Sequence, residues 1–296
     1  MGPLSDNNSY PVLLRLIKGE KWKGDQKLSK LLTLHSENQR VTLLLVLAAV
    51  VALILMSMDS IPQDQAYHRF ADESHLGLIP NWQNVLSNVP FAVVGLMGLR
   101  HLIREGQRPG QGVPQSLGWT LLFTGVFLTA FGSSYYHWHP ENFGLFWDRL
   151  PMTVGFSGLF AAMIGERVSE RVYTIVLWPL TLMGIFSAVY WLVTESYGVG
   201  DLRMYAFVQF FPLVAIPFLL WLCPPRYTHS YYIVAALVCY VVSKICEDQD
   251  RQIWLLTQQL ISGHTLKHLF AALGCYLLLV MLKRRMGTME WSHRFE

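Results

Sequence analysis

Residues 172–194 read VYTIVLWPLTLMGIFSAVYWLVT, an unbroken stretch with no formal charge. A run of this length matches the roughly 20 residues a helix needs to cross the hydrocarbon of a bilayer. Only helices and closed barrels satisfy their own backbone in that medium. Membrane barrel strands alternate polar and apolar positions over about ten residues, and this stretch does not alternate. Seven further apolar runs flank it, at 41–58, 85–103, 117–136, 148–165, 205–222, 231–246 and 265–282. The expectation is an all-α polytopic membrane protein with eight spans. Composition agrees: 52% of the 296 residues are hydrophobic and 15% charged, where soluble domains carry about a quarter. Such a chain is too apolar to be disordered. Four cysteines are too few for a disulfide scaffold, and they read as buried thiols. A net charge of +3 offers no concentrated basic face for nucleic acid, so the expected partner is membrane lipid.

Basic residues set the orientation of a multi-span chain. Arg15, Lys18, Lys21, Lys23, Lys27, Lys30 and Arg40 precede the first run; Arg104 and Arg108, Arg167 and Arg171, and Arg226 follow the second, fourth and sixth; Lys283, Arg284, Arg285 and Arg294 close the chain. These positions share one side and hold most of the 23 basic residues. Both termini are therefore expected in the cytoplasm. The first run is preceded by 40 residues and followed by no A-x-A-like site, so it reads as a retained helix and not as a cleaved signal. The expected organisation is a basic cytoplasmic segment 1–40, an additional N-terminal transmembrane helix 41–58, a core 59–283 and a basic tail 284–296.

Ionisable residues are costly at membrane depth and mark candidate sites. They gather at the end of the third run (Phe131 to Pro140), at the start of the fourth (Trp147 to Met152) and at the start of the eighth (Ser262 to His268). The topology brings all three to the non-cytoplasmic leaflet. His264 and His268 stand four residues apart and share a helix face, a common way to offer two imidazoles to one zinc ion. Ser133 and His137 have the same spacing. Three neutral imidazoles and a water complete a tetrahedral catalytic zinc site. Asp148, across a short turn, can accept a proton from that water, and the Ser133 hydroxyl can donate to an oxyanion. His139, beside Pro140, is the rival ligand and ranks second to His137. Lys267 is expected on a different helix face from the paired histidines. Glu247, Asp248, Asp250 and Arg251 read as a solvated outer loop or as supporting salt bridges.

These residues resemble the alkaline ceramidase family, within a wider group of seven-helix membrane hydrolases that includes adiponectin-receptor-like proteins. That family spaces its serine, histidine and aspartate as Ser133, His137 and Asp148 are spaced here. Asp148 to Met152 looks like its D-x-L-P-M, His264 and His268 match its H-x-x-x-H, and Asn84 to Phe91 matches an N-x-x-S-N-x-P-F stretch. The likeness covers roughly 65–283, and bacterial relatives look like the nearer neighbours, which implies a bacterial inner membrane. It implies a seven-helix hydrolase core plus one extra N-terminal helix, and Zn2+ on His137, His264 and His268. Asp148 would handle water and Ser133 the oxyanion, in hydrolysis of ceramide to a sphingoid base and a fatty acid. The calcium cluster of the eukaryotic members has only a partial counterpart: Asn81 stands in place of its last acid, and Asp72 and Glu73 fall outside the pattern. The resemblance therefore argues weakly for Ca2+. Alternative readings are a zinc hydrolase of ester-linked acyl lipids, a zinc-containing receptor or sensor without hydrolysis, and a transporter, which the lack of paired broken helices and internal repeats disfavours.

Overall fold

The computed structural model describes residues 36–107 and 115–286. The basic segment 1–40, except its last five residues, and most of the tail 284–296 lie outside the described residues. Every expected run becomes a helix. The long helices are α1 (Glu37–Ser57), α3 (Val89–Gly106), α4 (Ser116–Trp138), α5 (Asn142–Arg167), α6 (Glu170–Ser196), α7 (Arg203–Leu222), α8 (Tyr231–Asp248) and α10 (Gly263–Arg284). Two short helices, α2 (Trp82–Leu86) and α9 (Asp250–Leu256), precede α3 and α10. A 3-10 turn, Gln65–His68, and a small hairpin of β1 (His75–Leu76) and β2 (Ile79–Pro80) lie between α1 and α2. The protein is an all-α polytopic membrane protein.

Local sequence explains the helix starts. Ser36 and Gln39 form a reciprocal capping box on α1, Ser169 caps α6 and Ser262 caps α10, each satisfying a backbone N–H left free by the first turn. Two boundaries differ from the sequence expectation. The second run is broken at Ser87–Asn88, because Pro90 has no N–H to give to Leu86; Asn88 Nδ2 instead donates to Asn84 O at 2.9 Å. The fourth helix begins at Asn142 and not at 148. Asp148 therefore sits within the second turn of α5 and is not a helix-terminal charge.

Six of the long helices are long and apolar enough to cross a membrane by length and composition. The exceptions are α5 and α8. α5 is covered by α4, α6 and α7, so its small and polar residues meet protein and not lipid. α8 ends in Lys244, Glu247 and Asp248. α1 lies at the periphery, packed on α7, with Leu44 in the main core and Arg40 Nη1 donating to Arg167 O at 3.0 Å.

The closest contact is α4 against α5. Gly118, Gly125 and Gly132 recur every seventh position along α4, and each lies where a Cβ would strike α5. At Gly118 it would meet Gly158 O at 2.9 Å; at Gly125 it would meet Gly155 N and Pro151 O, both at 2.6 Å; at Gly132 it would collide with the Trp147 carbonyl. Small residues allow such backbone approach, which drives helix association in lipid. Gly132→Ala is expected to cost about 1–3 kcal/mol, the usual penalty for overpacking. Unfolding in mixed micelles with increasing denaturing detergent measures it, and an unchanged midpoint contradicts the packing argument.

Candidate active site

The three polar places converge at one end of the bundle. His137 occupies the last turn of α4, and His264 and His268 the first two turns of α10; all three are buried. Each offers a ligand atom within 4.8 Å of the others. Nε2 of His137 and Nε2 of His268 lie 3.3 Å apart. Two ligands at 2.0–2.1 Å from a tetrahedral zinc stand about 3.3 Å apart, so the imidazoles fit a metal ion. Among the described residues this is the group of His, Cys, Asp and Glu side chains arranged to hold a metal. His139, the rival ligand, follows the end of α4, is exposed and lies tilted against the Tyr135 ring, outside the group.

Each histidine is held differently. The Ser87 hydroxyl donates to Asn84 O at 3.0 Å and sits 2.7 Å from His268 Nδ1. The serine proton is thus committed, His268 Nδ1–H donates to Ser87 Oγ, and Nε2 keeps its lone pair for a metal. His264 is fixed through its backbone: its N–H donates to Asp250 Oδ1 at 2.7 Å. His137 Nδ1 is buried without a protein hydrogen bond, so packing orients that ring, with Phe70 4.7 Å away between centroids. Asn81 has φ 46°, a left-handed conformation Asn tolerates, and donates from Nδ2 to His137 O at 2.9 Å.

Ser133 and Asp148 adjoin this group. Both are buried, and the Ser133 side chain lies against the Asp148 carboxylate. Both line a cavity of about 410 Å³ together with Lys267 and His268. Along α4 the cavity is bordered by Ser133, Thr129, Val126, Gly125 and Leu122, one helix face about 16 Å long at 1.5 Å per residue. Its charged residues cluster at the Ser133 end, and Leu122, Val126 and Phe156 make the remainder apolar. A slot of this kind suits one polar group and one hydrocarbon chain.

Several contributors escaped the sequence analysis. Lys267 was expected on another helix face, but it lines the cavity: Nζ donates to Glu247 Oε1 at 2.6 Å and lies 3.2 Å from His264 Nε2. Residues three apart on a helix are neighbours, and Glu247 draws the lysine inward. Glu247 also pairs with Lys244 and accepts from Tyr67 Oη at 2.6 Å. Of the charged outer cluster, Glu247 and Asp250 are thus supporting residues of the site. Burial, and next the Glu247 carboxylate, push the Tyr67 phenol well above its usual range, so it remains a donor. The segment between α1 and α2 closes over the site. Phe70 packs on His137 and His264, Ala71 N donates to Asp250 Oδ2 at 2.9 Å, and Gln63 Oε1 accepts from Arg149 Nη2 at 2.7 Å. No periodicity marks Gln63, Tyr67 or Phe70. Asp72, weighed for calcium, is fully buried and accepts from Ser74 and from Gln83 N.

Ser87→Ala removes the acceptor that fixes His268 and is expected to weaken metal affinity about 10- to 100-fold. Competition with a chromophoric chelator reads this directly; equal affinity in the two proteins contradicts the role of Ser87.

A protein-family model described as Ceramidase matches residues 74–293. The match takes in α2 to α10 and all five predicted site residues, and leaves out α1, Gln63, Tyr67 and Phe70. No curated protein matches the chain.

Proposed function

The chain belongs to the ceramidase family, whose reaction is hydrolysis of the ceramide amide bond, and from that premise we propose that it is a zinc-dependent intramembrane lipid amidase releasing a fatty acid and a sphingoid base. The observation that carries this reading is the convergence of His137, His264 and His268, with His268, Ser133 and Asp148 lining a mostly apolar cavity. His137, His264 and His268 would hold a zinc ion, which would supply Lewis acidity toward the amide carbonyl and toward water.

The chain's own residues do the rest. The Asp148 carboxylate takes a proton from the attacking water and returns it to the departing amine nitrogen, as one acid–base group can do in both halves of an amide hydrolysis. The Ser133 hydroxyl donates to the oxygen that gains charge as the carbonyl becomes tetrahedral. Leu122, Val126 and Phe156 line the part of the cavity that takes the acyl chain. Phe70 covers His137 and His264 and keeps bulk water from them. Lys267 is held by Glu247, which limits its charge at His264.

We place the site toward the non-cytoplasmic leaflet, with both termini in the cytoplasm and α1 as an additional helix before a seven-helix core. The distribution of Arg and Lys over the interhelical loops and tails supports this placement.

The experiment is hydrolysis of acyl-labelled ceramide by the purified protein loaded with zinc. Asp148→Asn is expected to lower kcat by about 10²- to 10⁴-fold, the usual contribution of a general base, with bound zinc unchanged. His264→Ala is expected to lose both zinc and activity. Undiminished hydrolysis in either variant, or a wild-type protein that binds no zinc, contradicts the proposal.

A further inference from the structure

Arg149 follows Asp148 in the second turn of α5 and lines the same cavity. It is 8% exposed. Its guanidinium lies over the rings of Trp191 and Tyr205, 4.4 and 4.9 Å from their centroids, with Tyr67 at 5.9 Å. Nη2 donates to Gln63 Oε1 at 2.7 Å, while Nη1 is buried with no protein acceptor. The aromatic faces attract the guanidinium charge but offer its N–H groups no lone-pair acceptor. A guanidinium stays ionised and presents donors in a fixed fork suited to oxyanions, and a buried charge without a counter-charge is unfavourable.

Among the described residues no carboxylate of the cavity forms an ion pair with Arg149, and the Asp148 charge acts on it only at longer range. The cavity wall carries three cations, Arg149, Lys244 and Lys267, against two carboxylates, Asp148 and Glu247. Glu247 is engaged by both lysines and by Tyr67. Asp148 lies against Ser133, and among the described residues it forms no ion pair with Arg149. The polar end of the cavity is therefore one cation in excess, and the free donors belong to Arg149.

We propose that Arg149 is the anion subsite of this cavity, and that the substrate is an N-acylated lipid whose amine portion bears an oxyanion such as a phosphate. The inference rests on the amidase reading above and names its substrate class. Position separates this anion from the scissile carbonyl. Arg149 is held by Gln63 of the α1–α2 segment, Trp191 of α6 and Tyr205 of α7, whereas the imidazoles come from α4 and α10. An anion on Arg149 thus lies to one side of the reacting centre, where a headgroup belongs, and the acyl chain extends along Val126 and Leu122.

The test compares ceramide with ceramide 1-phosphate of identical chains, cleaved by the full-length zinc-loaded protein in mixed micelles. The wild type is expected to favour the phosphate in kcat/KM. Arg149→Gln should reduce the phosphate-to-neutral ratio about 10- to 100-fold, the value of a hydrogen bond to a charged group, mainly through KM. Arg149→Lys should restore part of it, keeping the charge without the planar fork. A second arm measures binding of dodecyl phosphate against dodecanol by tryptophan fluorescence. It expects the preference for phosphate to vanish in Arg149→Gln, and it decides the subsite even if the wild type cleaves neither lipid, the result that sinks the amidase reading alone. An unaltered ratio and an unaltered binding preference in the variants overturn the subsite. So does a variant whose one change is weaker inhibition by free fatty acid, since Arg149 then holds the acyl product. Zinc content and thermal unfolding identify a misfolded Gln variant, in which case the Lys variant decides.

Discussion

Backbone contact between α4 and α5 is the constraint on which the site depends. Lipid is as apolar as the helices it surrounds, so helices associate by shape and close packing and not by expulsion of water. Glycines every seventh residue bring α4 against α5 along its whole length. The last of them, Gly132, rests on the carbonyl of Trp147. That contact sets Ser133 beside Asp148, two residues far from each other on the chain's helical path, and the next turn of α4 delivers His137. A substitution that parts the helices at Gly132 shifts Ser133 relative to Asp148, so fold and candidate site are coupled at one backbone contact.

The second half of the site comes from α10 and must be registered against α4 without such glycine contact. Side chains do this. Asp250 caps the start of α10 through His264 N, and Asn84 Oδ1 accepts from both Ser262 Oγ and Thr265 Oγ1, tying α2 to that same first turn. Ser87 then fixes His268. The strap between α1 and α2 completes the enclosure. It is itself anchored at both ends of its path: Met58 O and Ile61 O accept from Arg203 Nη1 and Leu202 N at 2.8 and 2.9 Å, and Ala71 reaches Asp250. α1, which precedes the family match, therefore does more than add a span. It leads into the strap that carries Gln63, Tyr67 and Phe70.

Much of this was legible in the sequence, and the gaps have physical causes. The apolar runs stood out because charge is scarce, and all became helices. Pro90 interrupts the second run without ending its apolar character, since two polar residues, Ser87 and Asn88, stand between apolar stretches and the missing N–H breaks the helix there. The start of α5 differs from the sequence expectation because Trp147, Asp148 and Arg149 look like a polar boundary, whereas Asp148 and Arg149 are buried and line a cavity. The paired histidines were readable from helix geometry alone. Lys267 was not, because its direction is set by Glu247, twenty residues away on another helix. Asn84 and Ser87 belong to a recognisable stretch, but their roles depend on α10 lying beside them.

The two helices that fall short of ordinary membrane-helix character, α5 and α8, are the ones that supply Asp148, Arg149, Lys244 and Glu247 to the cavity. This is not coincidence. A charged side chain facing hydrocarbon is unfavourable, so a helix carrying several is stable at depth only when protein covers them. α5 meets that condition by lying between α4, α6 and α7. α8 meets it by turning Lys244 and Glu247 into one network with Lys267 of α10 and Tyr67 of the strap. The network neutralises most of the charge that these helices bring inside. What it leaves over is the guanidinium of Arg149, over the rings of Trp191 and Tyr205 and with Nη1 lacking a protein acceptor. In a cavity otherwise so nearly balanced, the residual cation is the feature that a ligand has to complement.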